Sequence, residues 1–401
     1  MSDEKRLKIA FVYPFPLAIG KNIPKFPGNF GVGGGETYSF RAAMKMAERG
    51  HKVTFFTGRF PGIKKNTLVM GNLRIEYLPV KIWKSIAYYA VMPSLVPKLL
   101  FGGFDVIHSW QFPTAYTFLS GIVAKATNKK FVVSHVGLTP GISRATKMFS
   151  KMNTGIVDRV ILMTDFGRKY FKGYVRDRKI DVIYPGIDTE FFAPTRDRSL
   201  ERKYAGKKVV LYAGRLIPSK GIDYLVRAFA KVTQRHRKSV LILIGQGHME
   251  KRLRELVAEL KISDKVVFTG YVPDDKMSAY YTLADVFVLP PVYKDSLGGY
   301  APEPGGFGLV LAEAMACDTP TIATRVDTIP YWIKDGHNGL LCDPNDSKCL
   351  EKKINLLIES KAVRDRIVRN AKEIVYEKYS LEKVADQMEE VYGKIRPRGR
   401  V

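Results

Sequence analysis

Short apolar runs rich in β-branched residues alternate with helical patterns along the whole chain. In the first half these runs are KIAFVY, KVTFFT, DVIHSW, KFVVSH, RVILMT and DVIY, and in the second half they are KKVVLYAG, SVLILIG, KVVFTG, DVFVLP and TPTIAT. The alternation is typical of parallel sheets that helices cover on both faces. Because 401 residues exceed what one core usually organises, the pattern predicts two doubly wound, Rossmann-like α/β domains.

The charged stretch TRDRSLERKYAGKK separates the two halves. We predict an N-terminal domain over residues 1–195 and a second domain over residues 196–378. Residues 379–401 form a C-terminal helix, which could cross back to the first domain, and a basic tail. Ligands bind beyond the carboxyl ends of the strands in such sheets, so we expect a cleft between the domains.

Charge and cysteine content limit the partners and the compartment. The formal net charge is +26, and residues 1–190 hold 29 Lys and Arg against 12 Asp and Glu. This excess favours phosphates, nucleic acid or an acidic membrane surface. The three cysteines, Cys317, Cys342 and Cys349, lack the spacing of a zinc site or a disulfide framework, and they fit a reducing compartment. No segment approaches the roughly 20 apolar residues of a membrane-spanning helix, and we expect a cytosolic protein.

Two cations follow the first strand of the second half. Arg215 comes directly after Gly214, and Lys220 lies just before a predicted helix. The guanidinium fork and the ammonium group could hold a diphosphate, although the order of a Walker loop is missing. The alternative is that both are solvated loop cations.

Glycines and histidines mark other strand ends. Gly34 and Gly35 precede a helix, where backbone amides could approach a phosphate or form a mobile loop. His135 could donate a hydrogen bond to a hydroxyl or phosphate oxygen, whereas His108 is as easily structural as functional. Gly245 and Val272 end two later strands, where a flat base could bind or an ordinary turn could form.

With the stretch YAPEPGGFGLVLAEAMA, these motifs resemble the retaining glycosyltransferases of the GT-B architecture, specifically glycosyltransferase family 4. The resemblance covers nearly the whole chain. It includes RAAMKMAERGHKVTFFTG, VVSHVG, VIYPGIDTEFF, AGRLIPSKGIDYL, LILIGQGHM and DGHNGLL.

The resemblance implies a role for each matching residue. Donor binding falls to Gly34, Gly35, Arg215, Lys220, Gly245, Val272, Phe307, Gly308, Leu309 and Glu313. In this set the two cations hold the diphosphate, Glu313 accepts from the ribose hydroxyls, and Val272 contacts the base. The backbone amides of residues 307–309 face the sugar and the phosphate. The catalytic group consists of His135, Arg215, Lys220 and Glu303.

Two departures from the family pattern concern the donor-sugar contacts. The family commonly has an acid, seven residues and a second acid, but counting back from Glu313 reaches Gly305. Glu303 stands two positions earlier, and we predict that it folds back over the donor sugar. Asp327 and Thr328 occupy positions where the family often has a glycine pair.

The resemblance implies a metal-independent hexosyltransferase that needs no cofactor and uses a nucleoside diphosphate sugar. No cluster of Asp, Glu and His in the sequence resembles a Mg²⁺ site. Residues 81–103 repeat apolar side chains at helical spacing among lysines, which suits a membrane interface or packing within the domain. We expect peripheral attachment to the cytoplasmic membrane face and a lipid or lipid-linked glycan as acceptor.

Other readings remain open. The chain could make a soluble glycoside or glucan, epimerise a sugar nucleotide, or bind a sugar nucleotide without turnover. Nucleic-acid binding is disfavoured, because the sequence lacks a basic-aromatic motif, a zinc finger and a dense basic helix.

Overall fold

The computed structural model describes residues 6–15, 34–81, 90–136, 143–301 and 305–395. The chain divides into two compact units, residues 1–186 with 381–401 and residues 187–380. The first boundary therefore lies before the predicted division at residue 195, and the C-terminal helix belongs to the first unit. No helix within the described ranges is long and apolar enough to cross a membrane.

The first unit is built on one sheet with the strand order β3-β4-β2-β1-β5-β6-β7-β8. The described strands are β1 (Lys8–Tyr13), β2 (Lys52–Arg59), β3 (Thr67–Met70), β4 (Leu73–Pro79), β5 (Val106–Trp110), β6 (Lys130–His135), β7 (Arg159–Leu162) and β8 (Ile180–Val182). All neighbouring pairs are parallel except β3 and β4. Strand β1 is buried from Ile9 to Tyr13, as expected for a central strand covered on both faces.

The antiparallel pair β3–β4 is absent from the sequence prediction. Residues Gly71 and Asn72 form the turn between the strands, and Gly71 has a φ of 56°, which glycine adopts without strain. Strand β3 (TLVM) is only four residues long and lies at the sheet edge, and β4 (LRIEYLP) alternates apolar with charged residues, so neither has the long apolar run by which other strands were recognised.

Helices surround this sheet. The first unit contains α1 (Gly34–Glu48), α2 (Leu95–Phe101), α3 (Ala115–Ala126), α4 (Arg144–Thr154) and α5 (Arg168–Phe171) among the described residues. Helix α2 packs on α3, and α3 packs on α4. Ser143 caps α4 by accepting from the backbone amide of Thr146, which fixes where that helix begins.

The second unit has a sheet with the strand order β11-β10-β9-β12-β13-β14, in which every pair is parallel. Its described strands are β9 (Lys208–Ala213), β10 (Ser239–Ile244), β11 (Val266–Gly270), β12 (Val286–Leu289), β13 (Thr321–Thr324) and β14 (Leu340–Cys342). The chain reverses its direction of winding at β9, which lies between β10 and β12. Ligands bind at such reversal points in open α/β sheets.

The helices of the second unit include two that bear directly on the site. The described set is α6 (Arg198–Lys203), α7 (Ile222–Arg235), α8 (Glu250–Glu259), α9 (Asp274–Leu283), α10 (Leu309–Ala316), α11 (Ile329–Trp332), α12 (Ser347–Glu359) and α13 (Lys361–Lys378). Helix α7 follows the loop after β9, and α10 follows the loop after β12, so both begin at the reversal point.

The last helix, α14 (Leu381–Lys394), packs against α1 of the first unit. Arg49 forms two hydrogen bonds with the Glu389 carboxylate, at 2.9 and 2.7 Å. The Tyr392 hydroxyl lies 2.6 Å from Nδ1 of His108, which is fully buried. Charge pairs and a buried polar contact thus fix this helix to the first unit.

The cysteine prediction was wrong. Cys342, at the end of β14, and Cys349, in the first turn of α12, form a disulfide. Asp346 starts α12 by accepting from the backbone amide of Cys349, and this turn brings the two thiols together. Only Cys317 is free, and it is buried. Cysteine usage therefore no longer supports a reducing compartment.

Candidate functional site

The cations Arg215 and Lys220 lie in the loop after β9, at the reversal point of the second sheet. The Tyr212 hydroxyl donates a 2.9 Å hydrogen bond to the carbonyl oxygen of Arg215, which fixes the start of this loop. The Arg215 side chain is exposed, whereas Lys220 is half-buried as a residue and its ammonium group lies in the buried part. Burial, with a smaller contribution from Arg215, lowers the pKa of Lys220 to about 8. A buried ammonium beside a second cation gains most when an anion binds.

Close backbone approaches hold the loops after β9, β10 and β12 together. A Cβ at Gly221 (φ 61°) would overlap the carbonyl oxygen of Pro290, and one at Gly245 (φ 128°) would overlap the carbonyl oxygen of Gly214. Only glycine satisfies both the backbone angle and the space at these two positions. The structure therefore gives Gly245 a steric role beside Gly214.

Aromatic packing in the core fixes the loop before α10. The Phe307 ring stacks on Trp332 with 4.8 Å between centroids, and the Phe307 carbonyl accepts from Trp332 Nε1 at 3.1 Å. The Phe307 side chain is thus part of the core, and only its backbone can meet a ligand. Gly308 has a φ of 78° and caps α10, so the amides of Leu309 and its neighbours open that helix. Such a helix start attracts an anion.

Glu313 lies in α10 with its carboxylate held by a buried tyrosine. The Tyr281 hydroxyl donates a 2.8 Å hydrogen bond to Oε2 of Glu313. Tyr281 is fully buried, and burial raises the pKa of its phenol well above the usual 10, so the hydroxyl keeps its proton. The arrangement fixes one oxygen of the half-buried carboxylate.

Sequence reasoning did not assign Asp327 to the site. Oδ2 of Asp327 accepts hydrogen bonds from the backbone amides of Gly305 and Gly306, at 2.7 and 3.2 Å. Its own amide donates to the Tyr293 hydroxyl at 2.7 Å. Burial raises the pKa of the Asp327 carboxyl. The sequence carries a signal for this contact, because two positions depart from the family pattern. An acid is missing at residue 305 and an acid is gained at residue 327.

His135 ends β6 in the first unit. Burial lowers its pKa to about 3, so the imidazole is neutral. Nδ1 accepts from the backbone amide of Phe112 at 3.5 Å, which leaves the proton on Nε2. Neutral His135 is therefore a hydrogen-bond donor through Nε2 and not a cation.

His108 is structural. It lies within β5, and its ring nitrogens lie 2.6 Å from the Tyr392 hydroxyl and 2.8 Å from the Ser134 hydroxyl. Burial lowers its pKa to about 3. Both nitrogens are occupied by protein groups, so a ligand role would require breaking a buried contact.

For the other predicted site residues, the structure gives a position along the backbone, or the residue lies outside the described ranges. Gly34 and Gly35 form the first turn of α1 and not a loop before it. Val272 follows β11 and is partly exposed. Glu303 and the stretch 82–89 of the predicted interfacial segment lie outside the described residues. The described part of the chain contains no group of three or more His, Cys, Asp or Glu side chains arranged to hold a metal ion.

Known proteins resemble this chain along most of its length. Residues 32–191 match the family model described as Glycosyltransferase Family 4, and residues 195–374 match the model described as Glycosyl transferases group 1. An uncharacterized glycosyltransferase of Methanocaldococcus jannaschii, MJ1607, is 35% identical over 53% of this chain, a match that spans only 54% of the relative. The D-inositol 3-phosphate glycosyltransferase of Acidothermus cellulolyticus is 28% identical over 92% of this chain and 85% of its own length.

A solved structure shows the same fold. HepE of Anabaena, crystallised in complex with UDP, superposes with a TM-score of 0.75 at 20% sequence identity, covering 97% of this chain and 100% of that one. The two parallel-sheet units therefore have the GT-B fold. With both halves matched by the corresponding family models, the protein belongs to the family 4 type of glycosyltransferases.

Proposed function

We propose that the protein transfers a glycosyl group from a nucleoside diphosphate sugar. The observation that carries this proposal is the pair of cations after β9, at the reversal point of the sheet and beside the starts of α7 and α10. These groups can neutralise a diphosphate, while Glu313 offers a fixed carboxylate to hydroxyl groups of the ribose. UDP in the HepE complex supports the same class of ligand.

We further propose that transfer retains the anomeric configuration and needs no metal ion or cofactor. The resemblance of the motifs to retaining enzymes supports this mechanism. In it the leaving phosphate accepts the proton of the acceptor hydroxyl. Arg215 and Lys220 would contribute charge stabilisation and positioning in place of a dedicated base. The roles that the resemblance implies for His135, in the first unit, and for Glu303, outside the described residues, stay predictions.

A panel of sugar nucleotides tests the donor proposal. Thermal unfolding is followed with UDP-glucose, UDP-N-acetylglucosamine, GDP-mannose and ADP-glucose, because a ligand that binds the native state raises the melting temperature. We expect a shift with at least one donor, and a loss of that shift in Arg215→Ala. Activity unaffected by EDTA and an α-configured product from an α-configured donor would support the mechanism. Absence of any shift would contradict the donor proposal.

We propose that the acceptor is a lipid or lipid-linked glycan reached by peripheral attachment to the cytoplasmic membrane face. The support comes from three successively packed helices of the first unit, α2, α3 and α4, whose exposed side chains we call the basic-apolar surface. It exposes the apolar side chains Leu100, Phe101, Ile122, Met148 and Met152. The exposed cations of α4 are Arg144, Lys147 and Lys151, none of which forms an ion pair with a described residue.

The arrangement of side chains on helix α4 supports the membrane proposal. Phe149 and Asn153 face the core, whereas Lys147, Met148 and Lys151 are exposed on the opposite side. An interfacial helix places apolar side chains among the headgroups and cations against anionic lipid. Each Lys or Arg near such a surface contributes about 1 kcal/mol.

Vesicle flotation tests the attachment. With phosphatidylglycerol in phosphatidylcholine vesicles at low salt, we expect the protein to float and Lys147→Glu/Lys151→Glu to bind at least about 30-fold more weakly. The matched control, Lys251→Glu/Arg252→Glu, makes the same charge change at exposed positions of α8 in the second unit. Equal losses in both variants would assign the effect to net charge and not to α4.

A soluble phosphorylated acceptor is the second candidate. The relative from Acidothermus cellulolyticus is named for D-inositol 3-phosphate, and the basic first unit would also attract such a compound. Turnover with inositol 3-phosphate in the absence of lipid would favour this candidate over the membrane proposal.

A further inference from the structure

The two oxygens of the Asp327 carboxylate differ in their contacts. Oδ2 accepts from the amides of Gly305 and Gly306, and the Tyr293 hydroxyl also lies beside the carboxylate, whereas Oδ1 is buried and has no hydrogen-bond partner among the described residues. The residue as a whole is only 6% exposed. A buried, unpaired carboxylate oxygen is costly, and most such atoms in folded proteins have a partner.

Asp327 also adopts a backbone conformation that most residues avoid. Its φ is 48°, in the left-handed region where aspartate and asparagine are tolerated better than other side chains. The chain is thus held so that the carboxylate reaches a loop 22 residues earlier in the sequence. Strained residues of this kind cluster at ligand-binding sites.

The position that Asp327 reaches is the one from which the expected acid is missing. A Cβ built on Gly305 would lie 3.3 Å from Oδ2 of Asp327. A longer side chain at 305 would therefore compete with the Asp327 carboxylate for the same space. The same Cβ would also lie 3.1 Å from Val326 and 3.2 Å from Ile329, so glycine at 305 leaves room for the Asp327 carboxylate that a side chain there would crowd.

We propose that Asp327 binds a hydroxyl group of the transferred sugar through Oδ1 and supplies the carboxylate that position 305 lacks. The inference rests on the proposed sugar-nucleotide donor. It assigns the sugar contact to the loop after β13 and makes Glu303 unnecessary for that contact.

The charges around Asp327 fit this role. Lys220 and Arg215 lie at the end of β9, and Asp327 is near enough to Lys220 to interact with it electrostatically. A diphosphate held by the two cations would put its attached sugar next to the carboxylate. An ionised carboxylate accepts hydrogen bonds from hydroxyl groups and repels phosphate, so it distinguishes the sugar from the diphosphate.

The competing explanation is that Asp327 only anchors the loop at Gly305 and Gly306. Asp327→Asn separates the two roles, because an amide oxygen can still accept from both backbone amides while the NH₂ group replaces Oδ1. Asparagine also tolerates the left-handed backbone. A second variant, Thr328→Val, removes a different anchor of the same loop, the 2.7 Å hydrogen bond from the Thr328 hydroxyl to the carbonyl of Gly306.

Calorimetric titration measures each variant with two ligands, the sugar nucleotide that binds best among UDP-glucose, UDP-N-acetylglucosamine, GDP-mannose and ADP-glucose, and the corresponding nucleoside diphosphate. For Asp327→Asn we expect an affinity for the nucleoside diphosphate within threefold of the parent and a loss of about tenfold or more for the sugar nucleotide. For Thr328→Val we expect equal, small changes with both ligands.

Each outcome decides the proposal. Equal losses for both ligands in Asp327→Asn, or no loss, would overturn the sugar contact while leaving the donor proposal intact. A sugar-specific loss in Glu303→Gln with none in Asp327→Asn would assign the contact to Glu303 and also overturn it. Failure of the parent protein to bind any of the four donors would overturn both proposals.

Discussion

Tyr281 donates a 2.8 Å hydrogen bond to Glu313, from α9 to α10 of the second unit. Tyr281 is held in turn by the aromatic side chains of Phe192 and Phe287, at centroid distances of 6.3 and 5.5 Å. A rigid, protonated phenol therefore fixes the direction in which Glu313 presents its carboxylate. This makes Tyr281 a positioning residue for the proposed ribose contact.

The first prediction concerns this pair. Tyr281→Phe keeps the ring and removes the donor, so we expect nucleoside diphosphate affinity to fall about tenfold, the value of a hydrogen bond to a charged group. The measurement compares the best-binding nucleotide of UDP, GDP and ADP with its 2′-deoxy analogue. The variant should lose most of the parent's preference for the ribose form. If Tyr281→Phe binds both nucleotides more weakly but still prefers the ribose form as strongly as the parent, the positioning role is contradicted. Such a result would indicate a general loss of stability.

The second prediction is a pH dependence of donor binding. The pKa of Lys220 is lowered to about 8 because the ammonium is buried, so Lys220 loses its proton as the pH rises through 8. If the protonated form binds the diphosphate, sugar-nucleotide affinity should be roughly eightfold lower at pH 9 than at pH 7.5. Binding at pH 8.5 should take up a proton, which appears as a dependence of the calorimetric enthalpy on the buffer.

Lys220→Arg is the control for that profile, since arginine keeps its charge throughout this range. Ionisation of the ligand's nucleobase at high pH would affect binding to both proteins alike. The difference between their two pH profiles therefore reports on residue 220. Parallel profiles for the two proteins would assign the pH dependence to another group.

The third prediction is that the Cys342–Cys349 disulfide stabilises the second unit. It closes a short loop between β14 and α12, with a sequence separation of 7. A loop of this size corresponds to about 2.5 kcal/mol of unfolding free energy in the chain-entropy account. Reduction should therefore lower the melting temperature by roughly 5 to 10 °C for a unit of this size.

Two variants make the test specific. Cys349→Ser should match the reduced parent and no longer respond to dithiothreitol, whereas Cys317→Ser should respond as the parent does, because Cys317 is outside the bond. A mass spectrum of the unreduced protein that shows three free thiols would contradict the disulfide directly.

The strands were largely predictable because each carries its own signal. KIAFVY is a continuous apolar run, and the structure places β1 at the same residues, Lys8–Tyr13. The hairpin β3–β4 was missed because β3 is only four residues long and because Arg74 and Glu76 interrupt the apolar residues of β4. Local pattern thus identified the buried strands and failed at the sheet edge.

Contacts between distant residues could not be predicted in the same way. Asp327 meets Gly305 only because β13 returns the chain to the carboxyl end of β12, and Cys342 meets Cys349 only because Asp346 starts a helix between them. The sequence did mark Gly305 and Asp327 as departures. It gave no means of joining the two, since their proximity depends on the order of strands in the sheet.

The last prediction concerns how α14 is held to the first unit. Arg49 pairs with Glu389 through two hydrogen bonds, and both side chains are mostly buried, with 25% and 16% exposed. Arg49→Met should therefore reduce the unfolding free energy at pH 7 by about 1 to 2 kcal/mol, between the values of a surface pair and a buried pair. Chemical denaturation of the two proteins measures the difference.

The pH dependence and a surface control identify the cause. Hydrogen bonds from Arg49 and His51 outweigh burial and lower the pKa of Glu389 below its usual 4.5, so the stabilisation is complete above that value and is lost as the pH falls through the folded pKa. The difference in unfolding free energy between Arg49→Met and the parent should narrow in acid.

Arg168→Met is the surface control. It removes a pair with the more exposed carboxylates Asp165 and Asp177 and should cost no more than about 0.5 kcal/mol. A gap that is equally large at pH 3 would show that Arg49 acts through packing of its side chain and not through its charge.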